Sequence, residues 1–252
     1  MYILGTDYDG TLSYHGVSQR NRDAIDRFRA AGNLFGVVTG RDYAFYHVMR
    51  RENLPLDFIL CMNGGMLVAT DGDRSGQMLL HRTQSNRGEI RWVIEHVGQV
   101  YGQEVGVVLG TERTTFHALF PDGSDKYAPL SRADELPSFT QMNTWFKDEE
   151  DARRATAEIN ERWPESLGAL QNGVCVDIPP HGVDKGAGIA SLADLMGVPY
   201  SNCYCAGDNL NDIQMIRRFH GCAVENAVPA VKEAAEGVYP DVAAMIDRIL
   251  AL

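Results

Sequence analysis

The stretch YILGTDYDGTL, residues 2–12, gives the first indication of the fold class. It is a short apolar run that ends at Asp7 and Asp9 and then turns at Gly10. Short apolar runs bounded by turn signals are typical of strands that are buried on both faces, as in a parallel sheet. Open parallel sheets bind ligands beyond the carboxyl ends of their strands, so the acidic residues after this run are candidate site residues.

The next fifty residues alternate between helical and strand patterns. Apolar residues recur at helical spacing over 18–31, where Ser18 is the candidate N-cap. The apolar runs at 34–40 and 58–63 predict two further buried strands, and a helix is predicted between them at 42–52. This alternation of strands and helices predicts an α/β fold, a Rossmann-like open parallel sheet with helices on both faces.

The middle of the chain, residues 83–181, has a different pattern. It contains several strand-like runs and few helical patterns: strands at 104–110, 114–120 and 139–146, and helices at 87–102 and 149–163. Strand pairs with few helices favour an antiparallel α+β unit.

Alternation of helix and strand resumes after Pro180, with a helix over Lys185–Met196 and a strand at 202–208. We therefore expect residues 1–82 and 182–252 to form one α/β core domain, into which residues 83–181 are inserted as an α+β domain.

The composition limits the expected partners. Lys and Arg number 23 while Asp and Glu number 34, which gives a formal net charge of −11. Non-specific affinity for nucleic acid comes from basic residues that neutralise phosphates, so nucleic acid and anionic membrane surfaces are not expected partners. A small phosphorylated molecule needs only one local cluster of donors and stays a candidate. We expect a monomer or a weak homodimer.

Targeting and redox signals favour the cytoplasm. No apolar run approaches the roughly 18 residues that a membrane span requires. The first residues lack the basic leader and long apolar run of a signal peptide. The five cysteines are odd in number and have no CxxC spacing, which favours buried free thiols in a reducing compartment.

Polar residues follow the predicted strands at their carboxyl ends. They form four groups: Asp7 and Asp9 after the first strand, Thr39 and Gly40 after the second, Asp208, Asn211 and Asp212 after the strand at 202–208, and Lys185 at the start of the helix before it. Because the carboxyl ends of parallel strands meet at one edge of a sheet, we expect these side chains to converge.

The acidic members of this set predict a metal site. Asp7, Asp208 and Asp212 cannot all ionise at close range without compensating charge. Mg²⁺ prefers oxygen ligands and a phosphate that completes its shell, and Lys185 supplies a further positive charge. Thr39 and free backbone N–H groups at a helix start are donors for phosphate oxygens. The predicted pocket is acidic where a metal binds and rich in donors where a phosphate binds.

Four short motifs, in order, resemble those of the haloacid dehalogenase superfamily: DYDGTL at 7–12, TGR at 39–41, Lys185 within GVDKG, and GDNLND at 207–212. CMNGG at 61–65 and VENA at 224–227 are similar to the Cof-type phosphatase branch of that superfamily. In that branch an α+β cap is inserted between the second and third motifs, where the chain has residues 83–181. The resemblance therefore implies a phosphatase with an inserted cap, acting on small phosphomonoesters such as sugar phosphates.

The resemblance implies covalent catalysis. Asp7 is the expected nucleophile, which takes the phosphoryl group as an aspartyl-phosphate. Asp9 is the expected general acid for the leaving alcohol and then the base for water. A dehalogenase of this superfamily does not need a second aspartate two positions after the nucleophile. A phosphatase needs one to protonate the alkoxide that leaves, so the presence of Asp9 favours a phosphatase.

The resemblance also assigns the metal and phosphate ligands. Mg²⁺ is expected on three groups, Asp7, the backbone carbonyl of Asp9, and Asp208, with Asp212 assisting or ordering Lys185. The phosphate is expected on Thr39 and Lys185, with Gly40 and Asn211 nearby. Tyr8 departs from the family pattern, because an aliphatic residue is common there.

Within the cap, the resemblance covers only position and approximate size. The three tryptophans are predicted to belong to the cap core: Trp92, Trp145 and Trp163. Three polar residues are weaker candidates for a substrate contact: Arg113, His117 and Lys126.

Three alternatives stay open at the level of sequence. A phosphomutase of the same superfamily, similar to phosphomannomutase, would share every motif and would require a sugar 1,6-bisphosphate. A phospho-acceptor signalling domain also uses aspartates, a threonine and a lysine on a parallel sheet, but is about half this length. A non-catalytic binding protein is disfavoured because no carboxylate of the motifs is missing.

Overall fold

The computed structural model describes residues 1–70 and 72–252. The chain divides into two compact units, residues 1–80 with 184–252 and residues 81–183. The insert expected from the sequence, 83–181, is two residues shorter at each end than the second unit. Each unit has its own hydrophobic core.

The elements before the insert follow the predicted alternation. They are β1 (Ile3–Thr6), α1 (Gln19–Ala30), β2 (Leu34–Val38), α2 (Ala44–Glu52), β3 (Phe58–Cys61), β4 (Met66–Ala69) and β5 (Met78–His81). Ser18 is the N-cap of α1, as predicted, and its side chain accepts a hydrogen bond from the backbone N–H of Asn21 at 3.1 Å. All four residues of β1 are buried, in agreement with a strand covered on both faces.

The second unit is an antiparallel sheet with two long helices. Its elements are β6 (Gln84–Ser85), α3 (Glu89–Tyr101), β7 (Val105–Leu109), β8 (Glu112–Phe116), α4 (Ser131–Glu135), β9 (Ser138–Phe139), β10 (Gln141–Trp145), α5 (Glu149–Arg162), β11 (Leu170–Asn172) and β12 (Cys175–Ile178). The five-stranded sheet has the order β11-β12-β10-β7-β8 and its neighbouring strands are antiparallel. One core cluster joins α3 and α5 to this sheet.

Two expectations for the insert were wrong in detail. The strand predicted at 114–120 ends at Phe116, because the backbone turns after it and the N–H of Phe120 bonds to the carbonyl of His117 at 3.0 Å. Trp145 is not part of the cap core, since 46% of its surface is exposed. Trp92 and Trp163 are partly buried and pack against the core, as predicted.

The elements after the insert complete the first unit. They are α6 (Lys185–Met196), β13 (Cys203–Gly207), α7 (Ile213–Arg218), β14 (His220–Val224), α8 (Pro229–Ala234), β15 (Gly237–Tyr239) and α9 (Val242–Leu250). A short 3₁₀ turn, Leu210–Asp212, lies between β13 and α7.

The sheet of the first unit has a switch in strand order at β1. Within the described residues, its eight strands have the order β15-β14-β13-β1-β2-β3-β4-β5. The six strands from β15 to β3 are parallel, while β4 is antiparallel to β3. The chain runs outward from β1 on one side as β2 and β3, and on the other side as β13, β14 and β15. In open α/β sheets the ligand site lies at such a switch point, beyond the carboxyl ends of the strands.

Two further properties concern the environment. Among the described residues, no helix has the length and apolar character that a membrane crossing requires. All five cysteines are free thiols, four of them buried and Cys175 half-buried.

Candidate active site

Asp7 occupies the switch point of the sheet. It follows β1 directly, and its backbone N–H donates to the carbonyl of Ala206 on the neighbouring strand β13 at 2.9 Å. This bond extends the parallel pairing by one residue and fixes the backbone from which the side chain projects. Asp7 is 8% exposed, so its carboxylate lies in a nearly dry environment.

Lys185 is a buried cation between two carboxylates. Its Nζ lies 2.6 Å from Oδ1 of Asp7 and 2.6 Å from Oδ1 of Asp212. It is the first residue of α6, whose N-cap is Asp184. Burial alone would lower the pKa of Lys185, but the charges of Asp212 and Asp7 outweigh burial and raise it. The ammonium therefore stays charged.

Asp212 is held by donors from the chain itself. Its Oδ2 accepts hydrogen bonds from the backbone N–H groups of Asp208 at 2.9 Å and Asn209 at 3.0 Å. Its Oδ1 accepts from Lys185. With Asn209 as N-cap, Asp212 completes a capping box at the start of the 3₁₀ turn. The carboxylate is completely buried and holds both the loop and the lysine.

Asp208 faces the β1 loop from the end of β13. Its Oδ1 accepts a hydrogen bond from the Thr11 hydroxyl at 2.6 Å. Gly10 makes this approach possible, since it has a φ of +85° and a Cβ there would lie 2.5 Å from Oδ2 of Asp208. Burial is the main cause that raises the pKa of Asp208. Thr11 was not singled out from the sequence, although it belongs to the same DYDGTL motif.

Three carboxylates converge as predicted. Asp7, Asp208 and Asp212 each have a ligand atom within 4.8 Å of those of the other two. When ionised, three carboxylates with one ammonium leave two negative charges in excess. The pKa of Asp7 is raised to about 8; burial is the largest cause, the charge of Lys185 opposes it, and the nearby charge of Asp212 adds to the rise. This excess of buried negative charge on oxygen donors fits a hard divalent cation.

The Asp9 carboxylate lies apart from this cluster. It forms a two-pronged ion pair with Arg41, with Nε to Oδ2 at 2.8 Å and Nη2 to Oδ1 at 2.7 Å. Both side chains are about half exposed. The two aspartates of the motif thus have different environments, Asp7 buried against an ammonium and Asp9 at the surface against a guanidinium.

The predicted phosphate-binding residues lie at the same edge of the sheet. Thr39 follows β2 and is 2% exposed, and its hydroxyl accepts from the N–H of Arg41 at 3.1 Å. Gly40 lies between these two residues. Asn211 is 2% exposed, and its amide lies 3.4 Å from Oδ1 of Asn63. Thr39 and Gly40 therefore follow β2 directly, and Asn211 lies in the 3₁₀ turn that also contains Asp212.

Asn63 is a buried polar residue to which sequence reasoning gave no role. It is completely buried, has a φ of +51°, and its N–H bonds to the carbonyl of Thr39 at 2.9 Å. Left-handed backbone is tolerated by asparagine better than by most residues. Gly64 follows with a φ of +87°, where a Cβ would lie 2.8 Å from the Cα of Gly188 in α6. The glycines of the CMNGG turn after the third strand were the sequence feature that could have indicated this close approach of Gly64 to α6.

Comparisons with known proteins give the family of this chain and several of its relatives. The family model of the haloacid dehalogenase-like hydrolases matches residues 4–244. The HMP-PP phosphatase of Citrobacter koseri is 31% identical over 247 residues, which cover 90% of this chain and 85% of that protein. The 5-amino-6-(5-phospho-D-ribitylamino)uracil phosphatase YcsE of Bacillus subtilis is 23% identical over 239 residues, which cover 93% of this chain and 88% of that protein.

A solved structure supports the same assignment at the level of fold. A sugar phosphatase of HAD subclass IIB superposes with a TM-score of 0.81 at 19% identity, over 100% of both chains. The family model spans both units of the chain and all four motifs. The chain therefore belongs to the haloacid dehalogenase-like hydrolases, as a phosphoric monoester hydrolase of the Cof-type branch.

Proposed function

We propose that this chain is a Mg²⁺-dependent phosphatase that hydrolyses small phosphomonoesters, such as sugar phosphates, through an aspartyl-phosphate on Asp7. The observation that carries the proposal is the buried charge cluster at the switch point. Three carboxylates converge there, and one ammonium, that of Lys185, contacts two of them, Asp7 and Asp212. The negative charges of such a cluster outnumber its single positive charge until a metal cation binds. The cation and the ammonium together then attract a dianionic phosphate.

Asp7 is the nucleophile in this proposal. A carboxylate oxygen of Asp7 attacks phosphorus, the bond from phosphorus to the ester oxygen breaks, and the alcohol leaves. Water then attacks the phosphorus of the aspartyl-phosphate, which releases inorganic phosphate and restores the Asp7 carboxylate. Covalent catalysis divides one difficult hydrolysis into two easier steps. The fixed backbone of Asp7 and its contact with Lys185 hold the nucleophile in place for both.

Asp9 is the general acid and base. In the first step it gives a proton to the leaving alkoxide, and in the second it takes a proton from the attacking water. The exposed position of Asp9 supports this assignment of roles, since its carboxylate is about half exposed to solvent while Asp7 is 8% exposed. Such assistance contributes about 10²–10⁴-fold.

The residues present fit a bound Mg²⁺. Asp7, Asp208 and the backbone carbonyl of Asp9 are the proposed ligands. Asp212 already accepts three hydrogen bonds, from two backbone N–H groups and from Lys185, which favours the ordering of the lysine as its part. When bound, the cation supplies charge that offsets the carboxylates and polarises the phosphoryl oxygens.

Four residues are proposed to hold the transferred phosphoryl group: Thr39, Gly40, Lys185 and Asn211. Thr39, which follows β2, and Asn211, which precedes Asp212 in the chain, are almost fully buried polar side chains, and Lys185 is the cation of the charge cluster. Phosphoryl transfer needs mainly positioning and charge stabilisation, which these donors supply.

The substrate class follows from the relatives only in outline. The relatives are named for different activities. They include an HMP-PP phosphatase, a 5-amino-6-(5-phospho-D-ribitylamino)uracil phosphatase and a sugar phosphatase. Their shared element is a phosphate on a small molecule. We therefore propose a small phosphomonoester as the substrate of this chain.

The test is a broad panel of phosphate esters with Mg²⁺, with release of inorganic phosphate as the readout. We expect turnover by the wild-type protein, none by Asp7→Asn, and wild-type turnover by Asp247→Asn, which changes an exposed carboxylate far along the chain. Equal turnover by wild type and Asp7→Asn would refute the proposal. A reaction that proceeds only with a sugar 1,6-bisphosphate, and that isomerises a sugar phosphate, would identify a phosphomutase instead.

A further inference from the structure

The ion pair between Asp9 and Arg41 has an aromatic support. The guanidinium carbon of Arg41 lies 5.3 Å from the centroid of the Phe45 ring. Phe45 is 2% exposed, so the ring is fixed while the guanidinium above it is half exposed. Arginine stacks readily on aromatic faces, and such a contact limits the orientations of an otherwise flexible side chain.

The Phe45 ring is itself held by Tyr8. The two rings pack edge to face, with centroids 4.9 Å apart and planes at 68°. The Tyr8 hydroxyl donates to Oε1 of Glu52 at 2.9 Å. Phe45 and Glu52 are seven residues apart, which is two turns of α2, so they lie on the same face of that helix. The helix thus holds the Tyr8 ring at both ends.

Tyr8 links this support to both motif aspartates, because it lies between Asp7 and Asp9 in the chain. It is 5% exposed and occupies the position where the family pattern commonly has an aliphatic residue. An aliphatic side chain has neither the ring edge that meets Phe45 nor the hydroxyl that reaches Glu52. The contacts are therefore specific to the residues of this chain.

We propose that Tyr8 and Phe45 form a positioning platform that fixes Arg41, and that Arg41 in turn orients the Asp9 carboxylate for proton transfer. The inference rests on the proposed role of Asp9 as general acid and base. Arg41 acts through Asp9 and is a positioning residue. A carboxylate has about four lone-pair positions, and the fork of Arg41 uses one on each oxygen, so Asp9 keeps positions for a proton.

The contribution of the Asp9–Arg41 ion pair to folding stability does not explain why Arg41 is packed on Phe45. Ion pairs with half-exposed partners contribute little to folding, because water and salt screen them. A two-pronged pair does fix geometry, and a misplacement of about 1 Å at a reacting group can cost about 10²-fold in rate. The platform therefore bears on the rate of the reaction more than on the fold.

We expect single substitutions of Arg41, Phe45 and Tyr8 to lower kcat by different amounts and to change KM little. Arg41→Ala should lower kcat for an alkyl phosphate by about 10²-fold. Arg41→Lys should restore only part of the loss, because an ammonium cannot form the two-pronged pair. Phe45→Leu and Tyr8→Leu should each lower kcat by about 2- to 5-fold, the scale of an exposed cation–π contact. Tyr8→Phe, which keeps the ring, should fall between Tyr8→Leu and wild type.

The matched control is Arg27→Ala. Arg27 forms an ion pair with Asp247 at 2.6 Å, and both side chains are about half exposed, as in the pair of Arg41 and Asp9. Arg27→Ala should keep wild-type kcat. A loss of kcat in Arg27→Ala as large as that in Arg41→Ala would overturn the proposal.

The deciding experiment is a double-mutant cycle of Arg41→Ala with Asp9→Asn, followed by hydrolysis of an alkyl phosphate under single-turnover conditions. If Arg41 acts through Asp9, Arg41→Ala has no further effect in the Asp9→Asn background. If Arg41 binds the phosphate directly, the losses of rate in the two single variants multiply in the double variant and KM rises. That result would overturn the proposed platform and leave the proposed role of Asp9 intact. Wild-type turnover by Asp9→Asn would overturn both the platform and the proposed role of Asp9.

Discussion

The ammonium of Lys185 lies 2.6 Å from the carboxylate of Asp212, and the two side chains are 1% and 0% exposed. The same ammonium contacts Asp7 at an equal distance. Charges buried in this way cost desolvation energy, which their attraction only partly offsets. Their presence at the switch point of the sheet is therefore better explained by chemistry than by stability.

Removal of the lysine should leave uncompensated buried carboxylates. We expect Lys185→Met to lower the free energy of unfolding by about 3–5 kcal/mol in metal-free buffer, the usual cost of breaking a buried ion pair from one side. Urea denaturation monitored by circular dichroism measures this. Arg27→Ala, which breaks an exposed pair, should cost no more than about 1 kcal/mol. Equal losses of unfolding free energy in the two variants would show that the buried ion pairs of Lys185 contribute no more to stability than an exposed pair.

Mg²⁺ should stabilise the folded protein through Asp7 and Asp208. At a concentration of about 100 times its Kd, binding adds about 2.7 kcal/mol to the free energy of unfolding. We expect a clear rise in Tm with Mg²⁺, a much smaller one in Asp208→Asn, and loss of phosphatase activity in EDTA. A calorimetric scan with and without the ion provides the test. Full activity in rigorously metal-free buffer would show that the enzyme does not require Mg²⁺.

Gly10 should be needed for the position of Asp208. Gly10→Ala adds a methyl group 2.5 Å from Oδ2 of Asp208 and places alanine in the left-handed region, at a φ of +85°. Gly32→Ala has a similar φ of +81° and nothing within 4 Å, so it carries the backbone strain alone. Both variants should lose about 1–2 kcal/mol of stability. Only Gly10→Ala should also weaken Mg²⁺ affinity, by more than about tenfold, because its carboxylate neighbour must move.

Titration calorimetry with Mg²⁺ separates the two glycine variants. Equal affinity in Gly10→Ala and Gly32→Ala would mean that Asp208 adapts to the added methyl group, or that it is not a ligand.

The inserted unit should govern substrate choice, because it interrupts the chain between the second and third motifs. Trp145 is a candidate, since 46% of it is exposed and the guanidinium of Arg113 lies 5.5 Å from its ring centroid. We expect Trp145→Ala to change the ratio of kcat/KM between two sugar phosphates by about tenfold. Leu119→Ala, at a 65% exposed position of the same unit, should leave the ratio unchanged. An unchanged ranking in Trp145→Ala would remove this residue from specificity.

The convergence of Asp7, Lys185 and Asp208 was predictable from the sequence because of a general property of parallel sheets. Each residue follows a strand or opens a helix at the same edge, so alternation of elements alone places them near one another. The N-cap of α1 was predictable for a local reason, since Ser18 precedes a helical run by one residue.

Contacts between distant segments were not predictable. Thr11 and Asp208 are 197 positions apart, and Tyr8 and Glu52 are 44 apart, so no local pattern records either hydrogen bond. The exposure of Trp145 has a similar origin. It ends β10, whose other four residues are all buried, and the sequence does not show that the cover of this strand ends before its last residue.

We expect Asp7 to carry the phosphoryl group and Asp9 to transfer the protons. Rapid-quench kinetics of Asp9→Ala with an aryl phosphate, followed by intact-mass detection of the protein, separates these two roles. An aryl alcohol leaves without protonation, so we expect a burst of about one equivalent and a stalled phosphoenzyme, with the second step slowed about 10²–10⁴-fold. Asp7→Asn should show neither burst nor turnover. Near-normal steady-state turnover of a sugar phosphate by Asp9→Ala, with no phosphoenzyme detected, would contradict the account.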